Sequence, residues 1–211
     1  MSPKLTILFC SFLVLSYSCK QQPDNRSKKF RQLISDTAER YQYNEAYASK
    51  GRSSAFNLAP IENGVDSFEL RLWAINFFKP NFITILRYRQ DKWQLFKYAY
   101  YTTDFNIDSI FIESLKIPSE VKSIVSHLQQ EEILNLPSQV AIPGVNITTD
   151  VSGPQTCVIE ISTKHFYKGL VYFCPERFAN EPNHAKFIAL INYLNHYFIF
   201  YNPQCIPHKL Q

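Results

Sequence analysis

The stretch "NFITILRYRQDKWQLFKYAYY", residues 81–101, decides the architecture. Its apolar and aromatic residues fall into two runs with Gln90 and Asp91 between them. Two strand-forming runs parted by a short polar break read as an antiparallel hairpin. A turn at Gln90–Asp91 sets Tyr88 opposite Trp93, Leu86 opposite Leu95 and Ile85 opposite Phe96. Aromatic and branched pairs of this kind hold antiparallel strands together. Apolar groups fall on both faces of the hairpin, so the sheet is expected to be covered on both sides or to show solvent an aromatic patch.

On the N-terminal side, "DSFELRLWAI" (66–75) alternates Phe68, Leu70, Leu72 and Ala74 with Glu69, Arg71, Trp73 and Ile75, a strand period of two. One set must face away from the core when the other faces in. Leu70 and Leu72 have the stronger claim to the interior. That leaves Glu69, Arg71 and Trp73, with Arg87 and Arg89 nearby, as a candidate recognition surface of the kind in which an exposed Trp beside Arg anchors a partner. The structural alternative is an ordinary ion pair on a solvated strand with Trp73 in the core.

On the C-terminal side, "PSEVKSIVSHL" (118–128) reads as a helix with Ser119 as N-cap and Val121, Ile124, Val125 and Leu128 on the buried stripe. "EEILNLPSQ" ends this region at a Leu-Pro turn, and "QVAIPGVNITTDVSG" (139–153) reads as loop or irregular strand. A second hairpin, "TCVIEISTKHFYKGLVYFC" (156–174), is expected to turn near His165 and Phe166. "HAKFIALINYLNHYFIF" (184–200) then places Phe187, Ile188, Ile191, Leu194 and Phe198 on one face of an amphipathic helix. Near the other end, Phe30, Leu33, Ile34, Ala38 and Tyr41 predict a helix over 28–45, followed by a breaker-rich linker, "SKGRSSAFNLAPIENG". The fold class is α+β: an antiparallel sheet built from two hairpins, packed by an N-terminal, a middle and a C-terminal helix.

The first residues have the pattern of an export signal. Lys4 precedes the 11-residue apolar run "LTILFCSFLVL", too short to span a bilayer, and Ser16, Tyr17 and Ser18 lead to Cys19. A small residue before a cysteine, directly after an apolar core, resembles the lipobox of bacterial lipoproteins. The resemblance implies that Cys19 carries the lipid, palmitate-type acyl chains included, that residues 1–18 are removed, and that 19–29 form a polar tether ahead of one domain, 30–211. Lys20, where lipoproteins of the inner membrane carry Asp, makes the outer membrane the implied address, facing the periplasm or the surface. The alternative is an ordinary secretory signal cut at Ser18. From Cys19 to Pro60 there are 8 Lys/Arg against 4 Asp/Glu, and from Ile61 onward 13 against 14. The positive excess thus lies beside the anchor, where it favours anionic headgroups. A nucleic-acid binder would concentrate it on the folded domain, so nucleic acid is not an expected partner.

The resemblance extends to residues 65–200. The E-x-R-x-W strand at 69–73, the Leu-Pro turn in "ILNLPSQ" and the Tyr-x-x-Pro strand end at 172–175 are similar to a family of uncharacterised Bacteroidetes lipoproteins. That family has no established activity, so the resemblance bears on fold and location alone.

Chemistry is sparse. With 5 Gly in the chain and no Walker or dinucleotide pattern, no phosphate-cradling loop is expected, and no cofactor is implied. The histidines (127, 165, 184, 196 and 208) share no helical metal-ligand spacing, and no C-x-x-C occurs, so no metal is expected. Glu181 and His184 read as half-exposed surface residues, Glu131 and Glu132 point apart, and Cys174 beside Pro175 and Glu176 has no indicated histidine partner. No catalytic residue is nominated. A turn at His165–Phe166 would set Cys157 opposite Cys174, within disulfide reach, as an exported protein allows. A Cys174–Cys205 bridge and free buried thiols are the alternatives. The expected function is therefore a membrane-anchored binding module with an envelope protein or glycan as partner. The runner-up is an inhibitor or immunity-type lipoprotein against a toxin or wall hydrolase, and the third class an enzyme acting on envelope glycans or peptides.

Overall fold

The computed structural model describes residues 56–62, 64–76, 80–103, 106–145 and 156–200. The expected helix over 28–45, the lipidation site Cys19 and the tail cysteine Cys205 lie outside them. Six strands, β1 (Phe68–Ile75), β2 (Asn81–Arg89), β3 (Lys92–Thr103), β4 (Asn106–Ser114), β5 (Thr156–Thr163) and β6 (Tyr167–Phe173), form one sheet in the order β4-β3-β2-β1-β5-β6. Every neighbouring pair is antiparallel. Among the described residues three α-helices accompany it: α1 (Val121–Leu128), α2 (Glu131–Leu134) and α3 (Pro182–Phe198).

The β2–β3 hairpin has the register its sequence predicts, with Tyr88 on Trp93, Leu86 on Leu95 and Ile85 on Phe96. Gln90 and Asp91 both have positive φ, 50° and 59°. That is the type I′ turn whose twist matches the strands it joins.

The second hairpin closes differently. Its tip is Lys164–His165 rather than His165–Phe166, because the Thr163 hydroxyl accepts hydrogen bonds from the backbone of both His165 (3.1 Å) and Phe166 (3.2 Å). The Thr163 amide also donates to the Phe166 carbonyl at 2.9 Å. The register shifts by two residues, and Cys157 meets Tyr172, not Cys174.

β4 has no counterpart in the sequence reading. "NIDSIFIES" mixes two acids and two serines with its isoleucines, which blurs the period of two. A register shift between Tyr101 and Thr102 breaks the alternation further.

One face of the sheet presents Leu70, Leu72, Leu86, Leu95, Ile159, Ile161 and Leu170 to the helices, where Ile124, Leu128, Phe187, Leu190, Ile191 and Leu194 complete the core. Val121, Ile124 and Leu128 form the buried stripe of α1 as its spacing predicts, and Val125 is half-buried. Ser119 does not cap α1: Glu120 holds the N-cap position without a side-chain cap, and the Ser119 hydroxyl donates to the Glu120 carboxylate at 2.8 Å. On α3, Pro182 starts the helix where its missing N–H costs nothing.

The opposite face is covered, among the described residues, by the segment 56–62. The Phe56 ring lies edge-on to Trp73, Tyr98 and Tyr100, at centroid distances of 6.3, 5.9 and 4.8 Å. With cover on both sides, all eight residues of β1 are buried.

Candidate functional site

The alternation of β1 sends Glu69, Arg71 and Trp73 to one face, as the sequence requires, but that face is interior. Their exposures are 1% each. The expected recognition surface is thereby corrected: Trp73 is a core residue, and the two charges beside it are out of water. The period of two reports which residues share a face, whereas cover from a distant segment decides whether the face is wet.

Burying charge is costly unless every polar atom is partnered, and the partners are present. Arg71 Nε donates to Glu69 Oε1 at 2.8 Å, and its terminal nitrogen reaches the same oxygen at 2.7 Å. That terminal nitrogen also donates to the Ala59 carbonyl at 2.6 Å. The second Glu69 oxygen accepts from Arg89 at 2.9 Å, an arginine whose own side chain is half in solvent. Next along the face, opposite Arg71 on β5, Glu160 accepts from Trp73 Nε1 at 2.5 Å and from the Tyr167 hydroxyl at 3.1 Å. Ser162, opposite Glu69, donates to the Ile61 carbonyl at 2.7 Å. Glu160, Tyr167 and Ser162 escaped the sequence reading because no local spacing joins β1 to a strand some 90 residues later.

The cluster binds strand to strand and fixes residues 59–61 across the sheet. Its carboxylates accept hydrogen bonds from side chains of the fold itself, so its chemistry is structural.

In the Glu181–His184 pair Glu181 is partly exposed as expected, and the histidine is corrected. His184 is fully buried, ringed by Tyr172 and Phe178, and its Nδ1 lies 2.8 Å from Glu181 Oε2. The same carboxylate oxygen accepts the His184 backbone N–H at 2.8 Å, which makes Glu181 the cap of α3. Burial pushes the Glu181 carboxyl up, but the hydrogen bonds from the His184 ring, the His184 and Asn183 backbone and the Asn183 side chain outweigh it, and the net displacement is downward from 4.5. His184 Nε2 is buried with no hydrogen-bond partner among the described residues.

The cysteines separate. Cys157 is a free, buried thiol; burial, and secondarily the Glu176 charge, pushes it well above the ordinary thiol range. Such a thiol is inert rather than nucleophilic. Cys174, beyond the end of β6, is disulfide-bonded, and its partner lies outside the described residues. The Cys157–Cys174 pairing is therefore excluded by the register of the hairpin.

Apart from Ile199 after α3, the exposed large apolar side chains among the described residues gather at one edge of the sheet. Tyr101, Ile110, Phe111 and Ile112, on β3 and the edge strand β4, are 47, 37, 62 and 63% accessible. Among the described residues no group of three His, Cys, Asp or Glu is placed to hold a metal ion, and no helix is long and apolar enough to cross a membrane. No known protein family, no curated protein and no solved structure matches the chain.

Proposed function

We propose that the chain is a bacterial envelope lipoprotein, held at the outer membrane by lipid on Cys19, whose sheet domain binds a partner rather than transforming a substrate. The observation that carries this reading is the division of groups over the sheet. The charged side chains at its centre are buried and hydrogen-bonded within the fold, while apolar side chains on both faces of β4 and at the end of β3 face solvent. Exposed apolar strips on a folded domain mark interaction sites. An open edge strand adds backbone donors and acceptors that another strand can take up. An inhibitor against a toxin or wall hydrolase is the narrower form of the same reading, with one protein target engaged through that edge. The basic segment after Cys19 supports the anchor, since its lysines and arginines would sit against anionic headgroups.

The anchor is tested at one thiol. Cys19→Ala is expected to move the protein from the membrane pellet to the soluble fraction, and the wild-type N-terminal peptide to carry acyl mass. A variant that stays in the pellet, with no lipid on the wild type, overturns the lipoprotein reading.

A further inference from the structure

The two edges of the sheet are finished differently. On β6 the outward backbone groups are sealed by side chains from the turn after α2. Ser138 Oγ accepts the Val171 N–H at 3.1 Å and lies 3.4 Å from the Gly169 carbonyl, and Gln139 Oε1 accepts the Phe173 N–H at 2.5 Å. Among the described residues nothing comparable covers β4. That edge has no Lys, Arg or Pro along its nine residues, and its bulge lies near its start, leaving Ser109–Ser114 in regular register.

The direction of its backbone groups follows from the hairpin. A two-residue turn makes Arg89–Lys92 a hydrogen-bonded pair, so alternate residues of β3 turn their N–H and C=O to β2 and the others to β4. Leu95 is of the second kind, its carbonyl accepting from Leu115 at 2.9 Å. Lys97, Ala99 and Tyr101 follow it, engaging Glu113, Phe111 and Ser109. Ile110, Ile112 and Ser114 therefore point their backbone groups away from the sheet.

We propose that β4 pairs antiparallel with β4 of a second copy of this chain, about a two-fold axis at Phe111, joining two six-stranded sheets into one. The occupant is argued from the strand's self-complementarity. An axis at Ile110 would set Phe111 against Ser109 twice, and an axis at Ile112 would set Phe111 against Glu113, so each places the aromatic side chain opposite a polar one. The axis at Phe111 sets Ile110 against Ile112 twice and Phe111 against its symmetry mate. It places Glu113 opposite Ser109. Ile110 and Ile112, whose backbone groups point outward, then form the hydrogen-bonded pairs, and the two Phe111 residues meet at the closer non-hydrogen-bonded position. An isologous contact uses one patch twice, as this strand permits. Ile110 and Ile112 lie on one face of the sheet, with Phe111 and Tyr101 on the other, so the pairing covers apolar groups on both faces. A single strand pair is at the small end of specific interfaces, below about 1,200 Å². The dimer is accordingly concentration-dependent and favoured by confinement to a membrane surface.

This inference rests on the reading of β4 as a binding surface, and the experiment separates the two. Single cysteines are placed at Ser109, Phe111 and Glu113 in the full chain expressed with its own leader. Oxidation is expected to cross-link Phe111→Cys to a homodimer at least tenfold more efficiently than either neighbour, because only residue 111 meets itself across the axis. Adding Ile112→Lys should abolish the cross-link. Equal yields at all three positions, or a yield indifferent to Ile112→Lys, overturn the pairing. A photo-reactive phenylalanine at Ile112 supplies the second readout. Cross-linking to a different protein with no homodimer overturns the second copy and leaves the binding surface standing, and no cross-link of any kind overturns both.

Discussion

At β1 the two faces of the sheet are equally dry and chemically unlike. Under the helices, β1 presents Phe68, Leu70, Leu72 and Ala74, and stabilisation there is apolar area withdrawn from water. On the other face the same strand presents Glu69, Arg71 and Trp73, each as buried as its neighbours, held by hydrogen bonds to Ala59, Arg89 and Glu160. An aliphatic face tolerates small misfits, since its contacts are non-directional. A charged face does not: it is near neutral when every atom is partnered and strongly destabilising when one partner is lost. The two faces should therefore answer mutation differently.

The largest effect is expected at Arg71. Arg71→Met keeps most of the side-chain volume but takes two hydrogen bonds from Glu69 Oε1 and leaves the Ala59 carbonyl without its donor. Removing one member of a buried pair costs about 3–5 kcal/mol. The double variant Glu69→Leu/Arg71→Met removes the stranded charge as well, and should recover a large part of that loss. Chemical denaturation of the wild type, single and double variants reads this directly. A double variant that merely adds a second full loss would show that the two residues act separately.

A smaller effect is expected at Trp73. Trp73→Phe retains an aromatic ring near Phe56 but gives up the second ring of the indole, and with it the Nε1–H that Glu160 accepts. Tyr167 still donates to the other Glu160 oxygen, so the carboxylate is left partly satisfied. The expected cost is about 1–3 kcal/mol, the range for a lost hydrogen bond to a buried charged group. A melting temperature unchanged from wild type would mean that the contact contributes nothing to stability.

These contrasts also explain what the sequence discloses. The β2–β3 hairpin is legible because its pattern and its turn are local: Gln90 and Asp91 fix the register of both strands. The buried stripes of α1 and α3 are legible for the same reason. The faces of β1 are legible as sets, Glu69 with Arg71 and Trp73, but which set is wet depends on a segment arriving near residue 59, and nothing in "FELRLWAI" reports that. β4 is hidden by its acids and by the shift at Tyr101–Thr102. The slip in the second hairpin comes from one hydroxyl, Thr163, which moves the tip by a residue and separates Cys157 from Cys174.

The smallest effect concerns charge at a margin of the helix-covered face, where Glu181 meets the start of α3. Its side chain is one-quarter exposed, and its carboxyl is displaced downward from 4.5 in the folded chain. A carboxyl depressed by folding stabilises the native state above its unfolded value, and the contribution is lost as pH falls through the folded value. Glu181→Gln can keep the oxygen that accepts the His184 backbone N–H, gives up the second oxygen, which accepts from Asn183 Nδ2, and removes the charge that strengthens the cap and complements the helix N-terminus. At pH 7 the variant should be less stable than wild type by no more than about 1 kcal/mol, the typical size of a helix cap. As pH falls through the depressed folded value the wild-type carboxyl takes up its proton, and the two proteins should converge. Urea midpoints measured for both proteins at pH 7 and pH 3 check the sign. A gap of the same size at both values would assign the loss to the shape of the amide rather than to the charge.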